Sequence, residues 1–148
     1  AEIGHPERIF PIGRLDKDSS GLILLTNDGN IVNEILRTEF GHEREYLVDV
    51  DHPFDDAFLS RMAAGVVILG SPTKPCRVER VRAARFRIIL TEGRNRQIRR
   101  MCQALGYRVT ALHRTRIMHI GIEGVGVGAW KELSASERKT LLQAVGRE

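Results

Sequence analysis

Short apolar or alternating runs punctuate this chain, and their irregular spacing rules out most architectures. GLILLT (21–26) is a continuous apolar run between glycine and NDG, which predicts a buried strand ending in a tight turn. REYLVDVD (44–51) alternates and is rich in β-formers, VVILG (66–70) reads as another strand, and SPTKP as a turn. CRVERVRAARFRIILTEG (76–93) predicts two strands, a hairpin about Ala83–Ala84. RVTALHRTRIMHIGI (108–122) predicts one or two more, and RIFPIGRLD (8–16) a loop or strand entering the domain.

Helical patterns interrupt these strands. NIVNEILRT (30–38) carries Ile31, Ile35 and Leu36 at helical spacing, with Asp28 or Asn30 as cap. DDAFLSRMAAG (55–65) fits a helix closed by Gly65. SASERKTLLQAV (134–145) fits one with Ser134 as N-cap and Glu137 completing a capping box. NRQIRRMCQALGY (95–107) is the clearest: Ile98, Met101, Cys102 and Leu105 form one apolar stripe, Arg96, Arg99 and Arg100 share another face, and Gly106 closes it. No regular βαβ rhythm links strands and helices. The expected class is therefore α+β, a mixed and mainly antiparallel sheet flanked by helices and loops. The 148 residues suit one domain, 1–148, and 42% hydrophobic residues supply its core.

Charge is distributed unevenly. Between Cys76 and Arg116 stand twelve arginines and only Glu79 and Glu92 as acids, a balance of +10, while the rest of the chain is net acidic. Of 23 basic residues 19 are Arg, the residue suited to bidentate phosphate contact and to stacking on bases. A solvated basic face is the plain explanation; a focused Arg-rich half favours a polyanion, nucleic acid above all.

Other classes find less support. No apolar stretch approaches the ~20 residues of a membrane span, and no signal peptide is visible. Cys76 and Cys102 form no CxxC pair and the histidines do not cluster with them, which argues against a zinc site; a disulfide between the two stays open, with two free thiols in a reducing compartment as the expectation.

Asp16, in GRLDKDSSGLILLTNDG (13–29), precedes a turn-prone cluster, and on composition alone an aspartate there most often builds a turn. With Asp18 it suggests a D-x-D metal loop, but Asn27 stands where an EF-hand needs glutamate, and LILL occupies ligand positions. Downstream, TEGRNRQIRRM (91–101) places a glycine and arginines at a helix start, a setting for phosphate or carboxylate, although no P-loop is present.

Together these stretches resemble the RNA pseudouridine synthases. GRLDKDSSGLILLTNDG resembles the family's G-R-L-D-x-x-(S/T)-x-G-L motif, REYLV its tyrosine strand, and EGRNRQIRRM followed by VTALHRTRI its third block, in the family's order and over nearly the whole chain. The wording is most similar to the branch that modifies small- and large-subunit ribosomal RNA.

The resemblance implies roles position by position. Asp16 matches the catalytic aspartate, Tyr46 the tyrosine that stacks on the target base, and Arg99 the cation paired with the catalytic carboxylate. Leu112 matches the apolar residue near the uracil. Arg14 and Arg94 match positions close to RNA, and Arg96, Arg100, Arg114 and Arg116 are expected RNA contacts. Arg44 stands where many members have Lys, and Arg96 where many have His. The implied reaction breaks the N-glycosidic bond of a uridine, rotates the uracil and joins C5 to the sugar. It requires a carboxylate and no redox cofactor or metal. The implied partner is large-subunit ribosomal RNA, with tRNA, or a non-catalytic RNA-binding role, as the other readings. The resemblance further leads us to expect a cytoplasmic monomer, and a catalytic domain without the small S4-like RNA-binding domain usual in that branch. RNA affinity is then expected to be weakened.

Overall fold

The computed structural model describes residues 10–12, 15, 18–26, 42–117, 120–121 and 137. Ten strands and two helices run in the order β1 (Phe10–Ile12), β2 (Ser20–Gly21), β3 (Leu24–Thr26), β4 (Arg44–Val50), α1 (Asp56–Ala64), β5 (Val67–Ile68), β6 (Ser71–Pro72), β7 (Arg77–Arg82), β8 (Arg85–Leu90), α2 (Gln97–Ala104), β9 (Val109–Ile117) and β10 (Ile120–Gly121) among the described residues. The expected helices at 30–38 and 134–145 lie outside them, apart from Glu137, which is helical.

The main sheet has the order β10-β9-β4-β8-β7, all antiparallel, and β2 joins β9 in parallel. This is the expected α+β arrangement. β7 and β8 form the expected hairpin, with Ala83–Ala84 as its turn. The turn is used twice more: the Ala84 carbonyl accepts from Val50 N–H at 2.9 Å and the Ala83 carbonyl from Phe54 N–H at 3.1 Å.

Both helices bury their apolar stripes in one core. Val48, Phe86 and Ile88 of the sheet, Met62 of α1, and Met101 and Cys102 of α2 are all 0% exposed. Phe86 meets Phe54 and Phe58 edge-on, with ring centroids 5.7 and 5.4 Å apart, geometry in which aromatic pairs attract beyond their burial. Asp55 caps α1 by accepting from Phe58 N–H at 3.0 Å. α2 starts later than its pattern predicts, because Arg96 adopts the left-handed conformation at φ 48°.

Two expectations need correction. Residues 21–26 are not one buried strand. Gly21, at φ 124°, turns the chain out of β2, and residues 24–26 pair instead with β1, leaving Ile23 and Leu25 each 37% exposed. SPTKP is not simply a turn either: Leu69 and Gly70, both at positive φ, make the turn of a small hairpin whose second strand is Ser71–Pro72.

The sheet's other face explains much of the arginine excess. Arg85 pairs with Asp49 at 2.6 Å, Arg87 with Glu79 at 3.4 Å and Glu45 at 3.7 Å, and Arg116 with Glu43 at 3.0 Å. Arg80 pairs with Asp56 at 3.2 Å and lies over the Phe54 ring. Much of the cationic run is thus neutralised by acids from elsewhere in the chain. Each such surface pair contributes little to stability, but together they fix cross-strand register.

Candidate active site

The described parts of the site converge where β2, β4, β9 and the start of α2 meet. Tyr46 lies half-buried on β4, packed against the core, between Ile88 of β8 and Arg114 of β9. Leu112 sits two residues before Arg114, paired with Val48 and 8% exposed. The sheet register thus sets Tyr46 opposite Arg114, with Leu112 in the next same-face pair, opposite Val48.

Arg99, in the first turn of α2, reaches the segment just before β2. Its Nη2 donates to the Asp18 carbonyl at 2.9 Å and the Ser19 hydroxyl at 3.1 Å, and lies 3.4 Å from the Asp18 carboxylate. Its side chain is only 14% exposed, and its Nε is buried with no partner among the described residues. Arg96 holds the same Asp18 carboxylate with both terminal nitrogens, at 3.1 and 3.3 Å. The Arg96 hydrogen bond is the largest cause holding the Asp18 carboxyl below its ordinary range; the charges of Arg99 and Arg96 add to it and desolvation opposes it. Asp16 and Arg14 lie outside the described residues.

The remaining predicted arginines differ in what they hold. Arg94 donates to the carbonyls of Ile68, Ser71 and Pro72, tying the small hairpin to the start of α2. Arg100 folds back on Asn95, donating to its carbonyl and side-chain oxygen, both at 3.0 Å. Arg116 engages Glu43 and Glu45. Arg114 is 6% exposed and donates from Nε to the Leu22 carbonyl at 2.8 Å.

The sequence pattern offered Asp18 only as half of a rejected D-x-D metal loop and gave no role to Glu92 or Gln97. Asp18 is the anchor for two arginines of the third block. The Arg96 and Arg99 spacing of i, i+3 was the available signal, but the partner lay 78 positions away. Glu92 is buried and accepts from Gln97 Nε2 at 2.9 Å and Lys74 N–H at 3.2 Å, while Gln97 Oε1 accepts from Arg94 N–H at 3.2 Å. This network sets the turn from which α2 and its arginines start. Gly93 lies against Arg44: a Cβ there would meet the Arg44 Nη1 at 3.6 Å. Among the described residues no group of three or more His, Cys, Asp or Glu side chains converges as a metal site would require, and no helix is long and apolar enough to cross a membrane.

Comparison with known proteins places these elements in a family. The family model for RNA pseudouridylate synthase matches residues 2–104. The chain is 53% identical to the dual-specificity RNA pseudouridine synthase RluF of Salmonella typhi, over 97% of this chain and 50% of that protein. It is 33% identical to ribosomal large subunit pseudouridine synthase B of Bacillus subtilis, over 92% of this chain and 58% of that one. A crystal structure of a pseudouridylate synthase superposes with a TM-score of 0.84 at 34% identity, covering 90% of this chain and 59% of the other. The chain thus spans about half the length of the RluF relative it matches.

Proposed function

The chain belongs to the RNA pseudouridylate synthase family, and on that ground we propose that it isomerises specific uridines to pseudouridine in ribosomal RNA of the large subunit. In this reading residues 1–148 form the catalytic domain, working as a monomer in the cytoplasm. Asp16 supplies the carboxylate, Tyr46 the ring on which the extruded uracil stacks, and Arg99 the cation beside the carboxylate. Leu112 walls the base.

The observation that carries this reading is the hold of Arg99 on Asp18 and Ser19. It fixes a guanidinium against the segment that begins two residues after Asp16. Its buried Nε N–H is still unused among the described residues, and a buried cation with a spare donor favours an ionised carboxylate nearby. The isomerisation is balanced within the nucleotide. The C1′–N1 bond breaks, a C1′–C5 bond forms, the C5 proton leaves, and N1 takes up a proton. Extruding the base costs a few kcal/mol, and stacking on an aromatic ring, about 1–3 kcal/mol per base, offsets part of this. Phosphate contacts by the arginines would supply affinity that falls as salt rises.

A second reading adds tRNA as a substrate, favoured by the words "dual-specificity RNA" in the relatives' names. Carbodiimide mapping by primer extension, on ribosomal and transfer RNA from cells with and without the gene, tests both. Loss of a signal in large-subunit RNA supports the first reading, loss in tRNA the second, and an unchanged profile in both contradicts the proposed activity.

A further inference from the structure

Among the described residues, Arg114 is the most buried of the arginines expected to touch RNA, at 6% exposure. Its strand position is unusual. On one side its Cα is paired with Tyr46 of β4, and on the other with Gly21 of β2. It also binds the next residue, Leu22, twice. The Leu22 N–H donates to the Arg114 carbonyl at 2.9 Å, and the Arg114 Nε donates to the Leu22 carbonyl at 2.8 Å. A single side chain and its own backbone therefore immobilise both polar main-chain groups of a residue six positions after Asp16. Gly21 makes this approach possible, since any Cβ there would lie 2.3 to 2.8 Å from Arg114 backbone atoms.

Burial of a cation with an unused donor is unfavourable. The Arg114 Nη2 is buried with no partner among the described residues. An apolar side chain in the same place would avoid that penalty but forfeit the hydrogen bond to the Leu22 carbonyl and the interaction with Tyr46. What the arginine adds is a tie between these two neighbours. Burial, the largest influence, pushes its pKa down, as does the nearby Arg44 charge, while the Tyr46 side chain acts in the opposite sense. The guanidinium thus lies within interaction range of the phenol on one side and holds Leu22 on the other.

We propose that Arg114 is a positioning residue, which fixes the segment following Asp16 against the strand that carries Tyr46 and so sets the distance between carboxylate and stacking ring. This rests on the reading of Asp16 and Tyr46 given above. Misplacing a reacting group by about 1 Å can slow a reaction about 100-fold, whereas a residue that only grips RNA changes affinity.

The test uses the intact protein on RNA containing 5-tritiated uridine, comparing Arg114→Met, Arg114→Lys and Asp16→Asn with the wild type. Arg114→Met is expected to lower kcat about 100-fold with KM and RNA affinity within about threefold of wild type. Arg114→Lys, which keeps a cation and N–H donors but not the planar guanidinium fork, is expected to recover about tenfold of that loss. The Lys variant also serves if the Met variant does not fold, because it too must lose kcat and not affinity. Unchanged kcat in both variants overturns the proposal. So does a loss confined to KM, which would make Arg114 an RNA contact, or a loss that follows the unfolded fraction and disappears on cooling. Asp16→Asn separates the two readings. If it is inactive while Arg114→Met keeps its kcat, only the positioning role fails; if it turns over normally, the reading of Asp16 fails and the positioning role with it.

Discussion

Arg96 grips the Asp18 carboxylate with both terminal nitrogens, at 3.1 and 3.3 Å, from a backbone held in the left-handed region at φ 48°. The pair bolts the corner ahead of α2 to the segment just before β2. The pH dependence follows from its charge. A carboxyl whose folded pKa is depressed adds stability that is complete above its unfolded value and disappears as pH falls through the folded value. Asp18→Asn should therefore lower the melting temperature slightly at neutral pH, and the gap should close as pH drops below the ordinary value of 3.8. Because Asp18 is half exposed, added salt should shrink the gap as well. Thermal melts of both proteins across pH and salt check this; a gap that widens in acid contradicts it.

Gly21 carries the close approach of β2 to β9. It combines φ 124° with a Cβ position only 2.3 Å from the Arg114 carbonyl oxygen. Gly21→Ala should destabilise the protein by about 1–3 kcal/mol, read from urea titrations, and should reduce turnover by parting β2 from Arg114. Wild-type stability in the variant would mean that the junction is looser than described.

Phe86 is 0% exposed and packs edge-on against two other phenylalanines. Phe86→Ala should lose about 3–5 kcal/mol, seen as a lower denaturant midpoint. A loss under ~1 kcal/mol would show that the core closes around the void.

Cys102 is a buried thiol and Cys76 a half-buried one, packed against the core. Burial, the larger cause, and the Glu92 charge push Cys76 up to about 11; burial pushes Cys102 up to about 12, with Arg99 acting slightly against it. The thiolate is the reactive form, so at pH 8 only about a thousandth of Cys76 is reactive even when reached. A thiol reagent should label the native protein far more slowly than the urea-unfolded chain. Prompt labelling of both thiols under native conditions would contradict their burial.

Local patterns in the sequence carried a good deal of this structure. The alternation in 44–50, the two-alanine turn of the β7–β8 hairpin and the apolar stripe of α2 all depend on neighbours within a few residues, and all three form as the pattern predicts. What escaped depends on distant partners. The run at 21–26 breaks because Gly21 turns against Arg114, 93 positions away, and no local pattern reports that. The arginine excess looked like an open cationic face, yet Asp49 and Glu45 of β4, Glu43 just before it and Asp56 of α1 neutralise much of it. In the site, the sheet register brings Tyr46 beside Arg114 and Leu112 beside Val48, whereas Asp18 gained its role only when Arg96 and Arg99 folded onto it.

The central claim is that the Asp16 carboxylate does the chemistry. It is tested most directly by tritium release from RNA carrying 5-tritiated uridine, under single-turnover conditions, with wild type and Asp16→Asn matched in RNA affinity. The wild type should release tritium and the variant none above background. Equal release from both would contradict it.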